Sequence, residues 1–282
     1  MSDTGSNAKP QPTLDDATAW WSTSVTRIAP GEIELRGYPI EQVIGNVGFV
    51  STIWLLTKGS LPTPAVSRLL EATLVASVDH GPQAPSIASA RMAATCGVGL
   101  NSAIANGVNV LGDTHGGAGQ QCVQLLNDLV AEHEATGAAL DDLARAAIGE
   151  HKRHGRFVPG FGHRFHPRDP RRDPLLALVE AAVAAGDISG RYLAAGLAVE
   201  AALERGERRI PMNIDGISAI VYAELGVEPE LARGLFVLSR SVGILAHAWE
   251  EKQAGGRIKG PLPPPLLADY TGEHTRDVPG EG

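Results

Sequence analysis

From Met92 to Gly112 the chain runs 21 residues without a charged side chain, and this run limits the possible folds more than any other segment. It is long enough to cross a bilayer. Asn101, Asn106 and Asn109, with glycines at 97, 99, 107 and 112, would make a poor lipid-facing surface. A buried helix, packed through small side chains in a large soluble core, suits these residues better. The run ends in Asp113-Thr114-His115-Gly116-Gly117, so an imidazole stands at a glycine-rich helix boundary beside the core. There a fold can fix a histidine's tautomer and aim it.

With 282 residues, 43% of them hydrophobic, the chain can bury one large domain, or a large one with a smaller satellite. Only 5% are aromatic, so the core must close through small aliphatic side chains. A net charge of −8 argues against nucleic acid or an anionic membrane as the main partner. Cys96 and Cys122 are too few for a disulfide framework or a metal centre. They read as small buried hydrophobes in a reducing compartment. Residues 1–13 are polar, with neither an apolar leader core nor an Arg-rich amphipathic pattern. A disordered tail and a cytoplasmic protein are expected.

Helical spacing and Gly/Pro punctuation predict helices over 14–27, 40–58 and 64–78, and one from 85 that merges into the uncharged run. Further helices are predicted over 122–134, 138–154, 175–185, 192–205, 217–225 and 230–252. Residues 33–38 read as a brief extended segment or turn. No alternating β-branched pattern and no internal repeat recurs, so the expected fold is all-α with polar loops.

Titratable residues gather in three glycine-rich turns, at His80, at His115 with His163, and at Asp215. Taken singly, each has a plain structural reading: a histidine after a helix is commonly a locally bonded cap, and Asp215 would serve as the cap of a helix starting at Gly216. Gly160-Phe161-Gly162 lacks the strand–helix setting of a dinucleotide fingerprint. His151/His154 and His163/His166 have HxxH spacing but are crowded by arginines without a carboxylate at ligand spacing, so no metal site is expected. The segment 155–174 holds five arginines, Arg156, Arg164, Arg168, Arg171 and Arg172, with four prolines. In an acidic protein such a cationic loop suits bidentate recognition of carboxylate or phosphate; a solvated basic loop is the alternative.

Six segments, taken together and in order, resemble motifs of the citrate synthase superfamily. They are LRGYPIEQV from Leu35, DHGPQAPSIASAR from Asp79, DTHGGAGQ from Asp113, GFGHRFHPRDPR from Gly160, NIDGISAIVY from Asn213 and LFVLSRSVGILAHAWEE from Leu235. The resemblance spans most of the chain. It implies a two-domain all-α enzyme, with the large domain over 14–116 and 222–272, the small domain over 117–221 and a tail over 273–282. The active site would lie in the cleft, in a homodimer or higher homo-oligomer. By resemblance His115, His163 and Asp215 are the catalytic residues, with Asp215 the base at the α-carbon of an acyl-CoA thioester. His115 would donate to the thioester oxygen and His163 would serve the oxygen of the partner substrate. His80, Arg171 and Arg240 match positions that hold the carboxylates of a 2-oxoacid. Val158, Gly160, Phe161, Gly162, Arg164 and Arg168 match the loop that contacts coenzyme A. The CoA thioester is a substrate, and no tightly bound cofactor is implied.

Two departures bear on the reaction. Only about 40 residues separate the RGYPI and DHG elements, where full-length citrate synthases carry a much longer helical insertion. That shortening resembles citryl-CoA lyase and the lyase module of ATP-citrate lyase. The expected activity is therefore cleavage of citryl-CoA, or a related 3-hydroxy-3-carboxyacyl-CoA, to acetyl-CoA and oxaloacetate. A short citrate synthase or 2-methylcitrate synthase-like enzyme and a non-catalytic acyl-CoA-binding homologue are the alternatives. Near the C-terminus Gly260 stands where the family often has a second carboxylate-binding arginine.

Overall fold

The computed structural model describes residues 13–163, 166–204, 209–260, 266 and 268–278. The tail expected over 1–13, but for Thr13, lies outside the described residues, as does Arg164. The chain is built on helices: α1 (Leu14–Trp20), α2 (Ile40–Val43), α3 (Phe49–Lys58), α4 (Pro64–Ser77), α5 (Pro85–Thr95), α6 (Leu100–Asn109), α7 (Ala118–Thr136), α8 (Leu140–Arg153), α9 (Arg172–Ala184), α10 (Arg191–Glu204), α11 (Ile214–Glu224) and α12 (Pro229–Gln253). Local signals account for their starts. Thr63 caps α4 by accepting the Val66 amide at 3.2 Å, and Pro64 and Pro229 open α4 and α12, where a missing N–H costs nothing.

Four expectations need correction. The segment 26–39 is not merely a turn. It forms a three-stranded antiparallel sheet, β1 (Thr26–Ala29), β2 (Glu32–Leu35) and β3 (Tyr38–Pro39), with Thr26 opposite Leu35. Strands this short carry too few residues to show a period of two, and Arg36 and Gly37, both at positive φ, turn the second hairpin. The Arg36 guanidinium then donates to the Leu56 carbonyl at 2.8 and 3.1 Å, tying the sheet to the end of α3. Second, the uncharged run is not one buried helix. Gly97, at φ +87°, ends α5, Gly99 opens α6, and only Ala103 and Gly107 of α6 are buried. Third, the helices expected over 14–27 and 40–58 are shorter or divided. Fourth, Cys96 is exposed, while Cys122 is buried.

Two apolar clusters result. The smaller joins α5, α6 and α12 through Ala84, Ile87, Ala90, Ala103, Ile244 and Ala248. Gly107 makes this contact possible, since a Cβ there would lie 2.7 Å from both Ile244 Cγ2 and the Ser86 carbonyl. The larger cluster runs from Trp54, Leu69 and Leu70 through α7 to α11 and on to Leu235, so packing is continuous across residues 116/117. At its centre α11 is buried nearly all round, with Ile217, Ile220 and Val221 fully enclosed. Each such side chain contributes roughly 1.5–3 kcal/mol.

The turn leading into α11 is held by two buried ion pairs. Asp169 accepts from Arg171 Nε and Nη2, each at 2.9 Å, and from the Ile214 amide at 3.0 Å. Glu200, from the middle of α10, pairs with Arg172 through both oxygens and accepts the Met212 amide at 2.8 Å. Between these amides Asn213 caps α11 with its side-chain oxygen and donates from Nδ2 to the Gly162 carbonyl at 2.6 Å. Burial opposes ionisation of Asp169, but the Arg171 guanidinium and the Arg171 and Ile214 amides outweigh it and hold the carboxyl at about 2. That value lies below an ordinary aspartate's, about 3.9, so the stabilisation is present above about pH 4 and is lost as pH falls toward 2. Asp169→Asn is expected to lower unfolding free energy at pH 7 by about 2 kcal/mol, the gap from wild type narrowing below about pH 4. Urea unfolding at pH 7 and pH 3 checks it.

Candidate active site

Three loops and four helices converge on one pocket of about 210 Å³, lined among others by His80, His115, His163, Arg171, Asp215 and Arg240. The structure thus brings together all six residues expected to be catalytic or substrate-binding. Ser77, Thr114 and Phe236 line it too.

His80 sits in the loop between α4 and α5. Its neighbour Asp79 accepts the Gly81 amide at 3.0 Å and pairs with His247 of α12 at 3.3 Å. Gly243 admits this loop against α12, since a Cβ there would lie 2.8 Å from Asp79 Oδ1. His115 sits in a turn closed by the Gly112 amide donating to the His115 carbonyl at 2.9 Å, and Asp113 of that turn pairs with Arg233. His115 Nε2 accepts the Ser86 amide at 3.2 Å, in the first turn of α5, with Ser86 Oγ at 3.0 Å. A neutral ring so held carries its hydrogen on Nδ1. Burial, then Arg240, lowers the pKa of His115, and the positive end of α5 disfavours the imidazolium as well.

His163 follows the glycine loop, and its Nδ1 accepts the His166 amide at 3.1 Å, so the neutral ring's hydrogen belongs on Nε2. Its ring lies 5.7 Å from that of His80, centroid to centroid. Burial chiefly lowers both, and Arg171 adds to the effect in each. The pocket therefore holds three imidazoles biased toward neutrality, its positive charge coming from Arg171 and Arg240. Arg240 is buried, donates from Nε to the Ser77 carbonyl at 3.1 Å, and stacks over Phe236 at 5.0 Å.

Asp215 lies in the first turn of α11 and opens on the pocket. It does not cap its helix; Asn213 does, which leaves the Asp215 carboxylate for other work. Gly119, in the first turn of α7, would carry a Cβ 3.8 Å from Asp215 Oδ1. Burial raises the carboxyl's pKa, against the pull of Arg171 and Arg240. A buried carboxyl whose proton is held more tightly than usual, facing neutral imidazole donors and two guanidinium groups, suits proton transfer at carbon next to an anionic substrate.

The loop expected to touch coenzyme A divides. Phe161 is buried in the larger core and bridges Met212, Gly160 packs under α11, and the Gly162 amide donates to the Pro211 carbonyl at 2.7 Å. These groups hold the glycine loop against the turn before α11. Val158 is half-buried. Arg168 is exposed but doubly bonded to Asp173 at 2.7 and 2.8 Å. His151 and His154 each lie 3.0 Å from a carbonyl one turn back in α8. Ser86 and Glu200 were missed from sequence because each acts through a residue distant in the chain, and Phe236 because it reads as an ordinary apolar position of α12.

Residues 62–261 match the family described as "Citrate synthase, C-terminal domain". Citrate synthase of Acidithiobacillus ferridurans is 31% identical over 227 residues, covering 78% of this chain and 54% of that protein. ATP-citrate synthase subunit 1 of Sordaria macrospora is 30% identical over 241 residues, covering 79% of this chain and 34% of that one. The chain spans about half, or less, of the length of these curated relatives. A solved structure of citryl-CoA lyase from Hydrogenobacter thermophilus matches with a TM-score of 0.80 and 30% identity, covering 92% of this chain and 97% of that one. With most of its length inside the family match, the chain belongs to the citrate synthase family.

Proposed function

We propose that the chain is a carbon–carbon lyase that cleaves citryl-CoA, or a related 3-hydroxy-3-carboxyacyl-CoA, to acetyl-CoA and oxaloacetate. One observation carries the choice of reaction within the family. The citryl-CoA lyase structure matches this chain at 30% identity and a TM-score of 0.80, above the citrate synthase of Pyrobaculum aerophilum at 25% and 0.65. Condensation of an acyl-CoA with a 2-oxoacid is the second reading, favoured by likeness to citrate synthases at 31% identity.

Cleavage moves one proton from the substrate hydroxyl to the α-carbon of the leaving acyl group. His163 would take the proton of the hydroxyl that becomes a carbonyl, for which its Nε2 must be free of hydrogen once substrate is bound, with the hydrogen on Nδ1. The electrons of the broken bond pass to the thioester as an enolate, and the Nδ1 hydrogen of neutral His115 would stabilise its oxygen. Asp215, whose proton burial holds more tightly than usual, would deliver a proton to that carbon. Arg171, Arg240 and His80 would hold the carboxylates. Two fixed guanidinium groups beside uncharged imidazoles favour a dianionic acid without a surplus of charge.

An unpartnered surface supports the homo-oligomer. Leu238, Val242, Leu245 and Trp249 make one stripe along α12, each 40% to 56% exposed. Apolar stripes of this kind mark contact surfaces. Val242→Glu with Leu245→Glu is expected to halve the mass of a dimer in sedimentation or light scattering; unchanged mass would remove this stripe from the interface.

The deciding assay gives purified protein citryl-CoA, and separately acetyl-CoA with oxaloacetate, following oxaloacetate by coupled malate dehydrogenase and CoA by a thiol reagent. Oxaloacetate from the first mixture without free CoA from the second supports the lyase; free CoA released only from the complete second mixture makes it a synthase. Asp215→Asn and His115→Gln are each expected to reduce kcat by about 10²–10³-fold. Asp215→Ala with no effect on any activity would leave the binding-protein alternative. Because burial and Arg240 depress His115, its neutral form persists below the ordinary value of about 6.5. The kcat/KM profile is therefore expected to stay level from pH 8 down to about 6.5 and to fall only at lower pH.

A further inference from the structure

Behind the pocket, α11 carries a polar line that the proposed chemistry does not use. Asp215, Ser218 and Tyr222 stand at i, i+3 and i+7 on one face of the helix. The hydroxyls of Ser218 and Tyr222 are both buried, neither residue lines the pocket, and neither hydroxyl has a hydrogen-bond partner among the described residues. Buried hydroxyls are ordinarily satisfied, and two orphans a single turn apart call for a common partner. Helical side chains lean toward the N-terminus, which carries the Tyr222 ring back over Ser218 and toward Asp215. The Asp215 charge reaches the Tyr222 hydroxyl, adding to the effect of burial in raising it.

We propose that Ser218 and Tyr222 hold one internal water against the side of Asp215 turned away from the pocket, which makes Tyr222 a positioning residue for that carboxyl. A water bonded to both hydroxyls and to the carboxylate would have three polar neighbours, within the two to four that buried waters make. The Tyr222 hydroxyl orients it so that its hydrogen points to the carboxylate, fixing the carboxyl rotamer and favouring the ionised form. The other groups that act on Asp215 differ in kind. Arg171 and Asp169 come from the loop before α9, Arg240 from α12, and the buried Cys122 thiol from α7. Arg172 and Glu200, from α9 and α10, neutralise one another, and the charged residues of α4, Arg68 and Glu71, are exposed. None of these would be altered by removing the Tyr222 hydroxyl.

The inference rests on the reading of Asp215 as the proton donor, so its test is made without substrate. The carboxyl band of Asp215 is followed by infrared difference spectroscopy across pH, with Asp215→Asn identifying it. Tyr222→Phe and Ser218→Ala each remove only an oxygen, and each is expected to raise the Asp215 midpoint by about half a pH unit or more. The double variant is expected to match the singles, because both hydroxyls act through one water. Midpoints overlaying that of wild type, or shifts that add, overturn the proposal. Should a variant fail to fold, a high-resolution crystal structure of the wild-type protein decides: ordered density between Tyr222 Oη, Ser218 Oγ and Asp215 supports the water, and its absence overturns it. Failure of citryl-CoA turnover with the shift intact would sink the reaction and leave the water site standing.

Discussion

Two carboxylates outside the pocket lining govern the site. Adjacent arginines, Arg171 and Arg172, go to different partners, Asp169 and Glu200, and each carboxylate also accepts an amide of the turn before α11. Gripped at Met212 and at Ile214, with Asn213 bonded across to Gly162, that turn cannot tilt or slide. Because the partners are buried, breaking either pair would strand a charge where water cannot reach it. The entry angle of α11, and with it the position of Asp215, follows from these bonds more than from helix propensity.

Above that frame the pocket divides its charge. Imidazoles are kept neutral by burial and by guanidinium neighbours, while a carboxyl is pushed toward its protonated form by the same low dielectric. Neutral donors and a reluctant acid suit a reaction whose charge develops and moves in the substrate. One environment thus tunes four groups at once, with the arginines as the fixed counterweight.

Much of this was legible from sequence. Helical periodicity identified most of the helices, with errors at ends and at the Gly97 break, where a single positive φ outweighs an apolar run. The six motifs pointed to His115, His163 and Asp215 together. The support of the site stayed hidden. Glu200 lies in AVEAALE, which reads as an ordinary helix surface until α10 packs beside a turn 12 residues on and an arginine 28 residues back. In the cationic loop the division of labour was hidden in the same way: Arg171 lines the pocket, while Arg172 and Arg168 pair with Glu200 and Asp173. A side chain's partner depends on distance in space, which a pattern along the chain does not carry.

Gly160 sits at φ +85°, and a Cβ there would lie 2.7 Å from Cys122 Sγ and from the Gly216 Cα. Two glycine backbones touching, with no side chain between them, weld the loop that carries His163 to the helix that carries Asp215. These two residues therefore travel as one piece. Whatever movement admits a substrate, the span between His163 and Asp215 is preserved. Arg171 shares that fixed geometry, because Asp169 ties it to the Ile214 amide beside Asp215. His80, His115 and Arg240 reach the pocket from segments outside the weld.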